Sequence, residues 1–362
     1  MPRAAVGADG RRGPGSPDHD DVVAGVSALP VITGGKDRLL ADMRQSLLPA
    51  GCTFTPGQLY EAAEPLIKLA VQEDVPDPEV VDARMIVDRK LTGEAVVIAN
   101  SEGILAGGWL LGQIASHYSK LLTVEALVAD GQHVRAGQTL AVIRGPVAAI
   151  VTAERVLLNF LSRLSGIATA TWRCVQAAAE THAVVTDTRK TMPGYRILDK
   201  YAVQCGGGKN HRLGLCDGVM IKDNHISAMA HSTIPKMVRR VRTALRRRKR
   251  DLLIWVEVDR LEQLPEALAG EPDVILLDNM SLNQLRGAVA MRDEHFVRSE
   301  GTGDRATPLL EASGGIDLSN IADVARTGVD RIAVGALTHS APALDLTLEL
   351  RTPAPEGPRQ VS

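Results

Sequence analysis

Between residues 187 and 336 the sequence presents cations, then acids, then glycines, each set directly after a short apolar run. Thr188, Arg189 and Lys190 follow Val184-Val185, and Lys222 follows Val219-Met220-Ile221. Glu257 follows the run from Leu252 to Val256, and Asp278 follows Val274 to Leu277. Ser313, Gly314 and Gly315 follow Leu309-Leu310-Glu311-Ala312, and Gly335-Ala336 follows Ile332-Ala333-Val334. A glycine-rich segment, Gly206-Gly207-Gly208-Lys209-Asn210-His211-Arg212, adds His211 and Arg212. Guanidinium and ammonium groups bind carboxylates and phosphates. Two carboxylates can hold magnesium together with phosphate oxygens and water. Backbone N–H groups in glycine turns cradle phosphate. The set suits a substrate with several anionic groups and a divalent metal. Singly, each feature has a plainer reading: a lone strand-end cation is more often a salt-bridge partner, and a glycine pair only a turn. Six successive units that all carry such groups weigh against that.

The apolar runs identify the elements that must position these groups. Strands buried on both faces read as continuous apolar runs, and parallel strands need crossover helices. Amphipathic stretches such as Leu261–Leu268 and Leu318–Thr327 fill the gaps. The alternation predicts an α/β barrel or a doubly wound sheet. The barrel is preferred, because every run ends in a candidate functional group; an open sheet concentrates its site at one switch point. Upstream, Leu39, Leu40, Met43, Leu47 and Leu48 lie on one helical face, and Ala95–Ala99, Leu121–Val128 and Thr139–Ile143 read as strands. The stretch Val128–Leu140 looks like part of a biotinyl or lipoyl hammerhead, but Ala141–Ala153 contains no lysine to modify, which argues against a carrier role.

Composition excludes several classes of function. The chain has 362 residues, a net charge of -2 and only 3% aromatics, so neither nucleic acid nor a membrane is an expected partner. The run Arg239–Arg250 has eight basic residues in twelve, but without interleaved aromatics it reads as a solvated helix face or an interface. Cys52, Cys174, Cys205 and Cys216 are widely spaced and form no metal or disulfide pattern, which predicts a reducing, cytoplasmic setting. Residues 1–36, with seven glycines and four prolines, read as a disordered extension.

The motifs resemble those of the quinolinate phosphoribosyltransferase family. They are Asp187-Thr188-Arg189-Lys190-Thr191-Met192-Pro193-Gly194, Lys200-Tyr201-Ala202-Val203 with Gly206 to Leu215, Ile221-Lys222-Asp223-Asn224-His225, Leu277-Asp278-Asn279, Glu311 to Ile316, and Val334 to Ser340. Arg155 in Thr152-Ala153-Glu154-Arg155 and the segment Leu164–Thr169 also fit, so the resemblance spans about residues 40 to 350. It implies an N-terminal α/β sandwich beside an incomplete, seven-stranded α/β barrel. It also implies transfer of phosphoribose from phosphoribosyl pyrophosphate to quinolinate with loss of CO2, dependent on Mg2+. By the same resemblance, Arg155, Arg189, His211, Arg212 and Lys222 hold the dicarboxylate, with Lys190 near both substrates and Thr188 a further substrate-binding residue. Glu257 and Asp278 hold ribose hydroxyls and magnesium. Ser313, Gly314 and Gly315, with Val334, Gly335 and Ala336, hold the 5′-phosphate. Lys190, Lys222, Glu257 and Asp278 are the expected catalytic residues. A homodimer or larger homo-oligomer is implied, its sites shared so that Arg155 acts in the neighbouring subunit.

The expected division of the chain is an extension over 1–36, the sandwich over 37–151, the barrel over 152–337, a C-terminal helix over 338–352 and a tail over 353–362. Three features depart from the family pattern. The usual Asp-x-Thr is absent after Glu73-Asp74, residues 293–308 look inserted, and the N-terminal extension is additional. The alternatives are a same-fold paralogue with another pyridine or anionic acceptor, and a non-catalytic metabolite-binding barrel.

Overall fold

The computed structural model describes residues 48–49, 51–229, 231–299 and 307–351. The extension over 1–36, the tail over 353–362 and the predicted helix over Leu39–Leu48, apart from Leu48 itself, lie outside the described residues.

The N-terminal part opens with helices α1 (Pro56–Asp74) and α2 (Asp82–Ile86). Thr55 caps α1: its hydroxyl accepts from Gln58 N–H while the Gln58 side chain accepts from Thr55 N–H. Then come β1 (Thr92–Ala99), β2 (Gly103–Ile104), α3 (Leu110–Tyr118), β3 (Thr123–Ala126), β4 (His133–Val134) and β5 (Thr139–Pro146). The strand predicted over Leu121–Val128 is thus shorter than its apolar run.

The 32-residue helix α4 (Val147–Ala178) follows Pro146 without a linker, so the expected boundary between 151 and 152 falls inside a helix. It packs on α3, β2 and β5 on one side and on β6 on the other, which couples the two parts of the chain.

Six parallel strands follow: β6 (Val184–Thr186), β7 (Val219–Ile221), β8 (Ile254–Val258), β9 (Val274–Asp278), β10 (Leu309–Ser313) and β11 (Arg331–Ala333). Between them lie α5 (Arg196–Cys205), α6 (Asp223–Ala228), α7 (Ile234–Arg247), α8 (Leu264–Gly270), α9 (Leu282–Ser299) and α10 (Ile321–Ala325). The spatial order is β6-β11-β10-β9-β8-β7. The edges β6 and β7 are not paired with each other. The seventh position of the predicted barrel is held by a single bridge, Thr186 to Lys209, flanked by hydrogen bonds from Lys209 N–H to Val185 O (2.9 Å) and from Asp187 N–H to Lys209 O (3.2 Å). A flat six-stranded sheet would be about 24 Å wide. Residues after both edges, Thr188–Lys190 and Lys222, nevertheless line one cavity, so the sheet is curled into an open barrel.

The chain ends in a short helix, α11 (Ala336–His339), and strand β12 (Leu346–Arg351), which pairs antiparallel with β1. This corrects the C-terminal helix expected over 338–352. Leu346-Thr347-Leu348-Glu349-Leu350-Arg351 alternates with period two, the pattern of a half-buried strand, and β1 offers it an edge. The connecting segment passes hard against α4: a Cβ on Gly166 would lie 2.1 Å from Pro342 O.

A buried carboxylate ties the two parts together. Asp130 accepts from Gly107 N–H (2.7 Å), Gly108 N–H (2.9 Å) and the Tyr201 hydroxyl (2.5 Å) of α5. Burial, only partly opposed by these donors, pushes its carboxyl up to about 6. Helix α5 is thereby held against the N-terminal part on the side away from the cavity it helps to shape.

Candidate active site

The ends of the barrel strands enclose a cavity of about 590 Å³. Every residue singled out in the sequence lines it except Arg155 and Val334. Arg155, on α4, keeps 66% of its side chain exposed and among the described residues has only Glu154, at 3.8 Å, as an ion-pair neighbour. Val334 is buried behind the cavity wall, where its N–H donates to Thr186 O (2.9 Å).

Helix α5 positions the cationic loops. Lys200 and Asp187 form an ion pair buried on both sides, and Lys200 Nζ also donates to His211 O (3.0 Å). Asp187 further accepts from His211 N–H (2.8 Å) and Asn210 Nδ2 (2.7 Å), so one carboxylate anchors the glycine-rich loop to the Thr188–Lys190 segment. Burial pushes the Asp187 carboxyl up and the Lys200 ammonium down, each opposed by its partner. One residue before Lys200, Asp199 accepts from Arg163 Nη2 (2.9 and 3.1 Å) and Met192 N–H (3.2 Å), which fixes the far end of that segment. Thr338 Oγ1 donates to Lys190 O (2.8 Å).

The cavity itself is electrostatically unbalanced. Burial, and next the like charge of Arg189, hold the Arg212 guanidinium below its ordinary range. Arg212 Nη1 donates to Gly218 O (2.9 Å). Arg189 Nε is buried without a hydrogen-bond partner among the described residues, a donor that a bound anion would satisfy. Lys222 Nζ lies 2.5 Å from Glu257 Oε2. Asp278 ends the strand next to that of Glu257; it accepts from Asn279 Nδ2 (2.8 Å) and has no cationic partner among the described residues. Two carboxylates on adjacent strands, facing a phosphate-sized cradle, fit a magnesium ion completed by substrate oxygens and water. Among the described residues no group of three or more His, Cys, Asp or Glu could hold a metal alone.

The cradle is Ser313-Gly314-Gly315. Gly314 (φ +91°) and Gly315 (φ +61°) are left-handed, and a Cβ on Gly314 would lie 2.3 Å from Asn279 Oδ1. Asn279 N–H donates to Ser313 O (2.8 Å) and locks the two strand ends together. Gly335-Ala336, which follow the adjacent strand β11 at the start of α11, line the same cavity.

One expected role changes. The sequence groups His211 with the cations, yet both ring nitrogens are engaged inside the protein. Nδ1 accepts the Arg212 N–H (2.7 Å), and Nε2 lies 3.1 Å from Glu311 Oε1, a buried oxygen with no hydrogen-bond partner among the described residues. The ring is also stacked on Trp255, with centroids 4.9 Å apart. The lining includes Met220, Leu276, Ile316, Asp317, Ala333 and His339, to which the sequence assigned nothing. Strand alternation gave a signal for three of them. Met220, Leu276 and Ala333 stand two residues before Lys222, Asp278 and Gly335, so strand alternation puts them on the same inward face. His339 lies within the Val334–Ser340 motif, where its Nδ1 is 2.6 Å from Ser340 Oγ.

Two domain-family models match the chain: the quinolinate phosphoribosyl transferase N-terminal domain over residues 80–165, and the C-terminal domain over residues 167–349. A nicotinate-nucleotide pyrophosphorylase (carboxylating) of Mycobacterium leprae is 40% identical over 297 residues, covering 80% of this chain and 98% of that protein. A probable nicotinate-nucleotide pyrophosphorylase (carboxylating) of Bacillus subtilis is 40% identical over 257 residues, covering 71% of this chain and 83% of that protein. The solved nicotinate-nucleotide pyrophosphorylase of Francisella tularensis superposes with a TM-score of 0.73 at 34% identity, covering 81% of this chain and 97% of that one.

Proposed function

Because the chain belongs to the quinolinate phosphoribosyltransferase family, we propose that it joins quinolinate to phosphoribosyl pyrophosphate in the barrel-mouth cavity, as a step of NAD biosynthesis. The products are nicotinate mononucleotide, pyrophosphate and CO2. The observation that carries the reading is the convergence of Arg189, Lys190, Arg212 and Lys222 with two carboxylates and a glycine cradle in one cavity.

Arg189, Arg212 and Lys222 take the two carboxylates of quinolinate, the planar guanidinium groups matching carboxylate geometry. Thr188 belongs to the same wall. His211 contributes as an uncharged ring. The backbone N–H groups of Ser313–Gly315 and Gly335-Ala336 take the 5′-phosphate, Val334 only shaping the turn from behind. Lys190 lies between the two halves. Glu257 and Asp278 would hold the ribose hydroxyls and a magnesium ion, which would offset charge on the departing pyrophosphate. Glu257 becomes available when Lys222 turns from it to the substrate carboxylate. The pyridine nitrogen supplies the attacking lone pair to C1′, so no general base is required. As the adjacent carboxylate leaves as CO2, the electron pair of the broken bond stays on C2, stabilised by the positive ring nitrogen beside it, and C2 then takes up a proton from water. Catalysis is then mainly positioning and electrostatic stabilisation.

Arg155 fits this scheme only from outside its own cavity, and we assign it to the site of a second copy in a homodimer. Among the described residues no helix is long and apolar enough to cross a membrane. The four cysteines are unpaired, as a reducing compartment such as the cytoplasm would leave them.

Turnover with carboxyl-labelled quinolinate tests the reading. One CO2 and one pyrophosphate should appear per nicotinate mononucleotide, and excess EDTA should abolish all three while quinolinate still binds. Full turnover in EDTA would remove the metal role, and pyrophosphate release without CO2 would remove the decarboxylation.

A further inference from the structure

Beneath the cavity floor lies a charged cluster that the reaction scheme does not use. Glu311 stands two residues before Ser313 on β10, so its side chain shares the inward face one layer below the phosphate cradle, where it is fully buried. Arg331, its register partner on β11, donates from Nε at 2.6 Å. Burial works to raise the Glu311 carboxyl, but the contacts with His211 and Arg331 hold it below its ordinary range. A carboxylate under an anion site opposes binding, and a buried ion pair is often no more stable than apolar residues of the same volume. Its presence asks for a use.

We infer that Glu311 is a positioning residue for the quinolinate half of the site, fixing His211 in one rotamer and one tautomer as a neutral wall for the pyridine ring. The inference rests on the proposed function and deepens it. Nδ1 of His211 accepts the Arg212 amide proton and therefore carries none, so the imidazole proton sits on Nε2, the nitrogen that faces Glu311. Trp255 backs one face of the ring, and the ring lines the cavity. Rotation of the ring would remove the acceptor of the Arg212 amide. Glu311 thus governs the backbone that carries the Arg212 guanidinium as well as the imidazole wall. Charge for the two carboxylates then comes from Arg189, Arg212 and Lys222, while His211 supplies shape.

Two variants and one spectrum test this. In Glu311→Gln, quinolinate should bind about tenfold more weakly or worse, as for a lost buried polar contact, while the KM for phosphoribosyl pyrophosphate stays within about threefold. The double variant E311Q/R331M leaves no unpaired buried charge, so it should fold and keep the same selective loss. Nitrogen-15 spectra near pH 7 should show the His211 proton on Nε2 alone in the wild type, and tautomer mixing in Glu311→Gln. A folded double variant with wild-type quinolinate affinity would overturn the inference. Equal losses for both substrates, or a wild-type ring protonated on Nδ1, would do the same. Failure of the wild type to use quinolinate at all would instead sink the functional reading, and the spectrum would still decide the tautomer.

Discussion

Lys222→Ala is expected to lower kcat/KM for quinolinate by about a thousandfold, the scale on which loss of one preorganised charged group acts in a water-poor site. Two effects add. The ammonium that meets the substrate carboxylate is removed, and Glu257, now without its partner at 2.5 Å, is left as an uncompensated anion facing an anionic substrate. Stability should hardly change, because the Lys222 side chain is 40% exposed. The start of α6 depends on the Lys222 backbone N–H donating to His225 Nδ1 (3.1 Å), which the substitution leaves in place. Steady-state kinetics beside thermal denaturation measure both. A loss below about tenfold in a folded variant would mean that Lys222 only neutralises Glu257.

The second large effect is recovery of activity from two inactive proteins. Arg155→Ala should lose quinolinate turnover, although Arg155 does not line the barrel-mouth cavity of its own chain. A charge-assisted contact to a carboxylate, desolvated between two copies, contributes about 1.5–3 kcal/mol. Mixing Arg155→Ala with Lys222→Ala, under conditions where subunits exchange, creates heterodimers in which one pocket of two has both Lys222 and the partner's Arg155. Activity should return to about a quarter of wild type for random pairing in a two-fold dimer. Verified heterodimers that stay inactive would place Arg155 in its own subunit or in no site.

The strand-end chemistry was legible in the sequence because it is local. A buried parallel strand must be an apolar run, its carboxyl end must open onto a loop, and Lys222, Glu257 and Asp278 each stand directly on such an end. The six strands could be counted for the same reason. What escaped was set by distant partners. Strand β12 needed the free edge of β1, although its alternating leucines were visible. The seventh barrel position shrank to one bridge because Lys209 sits in a glycine-rich loop pinned by Asp187, not in an apolar run. Glu311 reads as an interruption of an apolar run until Arg331 and His211 are brought to it from residues 20 and 100 positions away. The orientation of the His211 ring depends on the Arg212 amide, Glu311 and Trp255, and residue type alone groups it with the cations. Arg155 shows the converse limit: the family motif marks it, but in its own chain it lies outside the barrel-mouth cavity.

The measurement that bears most directly on the central claim is pyrophosphate release with quinolinate against nicotinate, each with phosphoribosyl pyrophosphate and magnesium. Three or four cations around one acceptor exceed what a monocarboxylate can pair, and a buried charge left unpaired is costly. A site built to bind a group rejects an analogue that lacks it. Quinolinate should therefore exceed nicotinate in kcat/KM by about two orders of magnitude or more. Equal use of the two acids, or preference for nicotinate, would contradict the assignment of the cavity cations to a dicarboxylate.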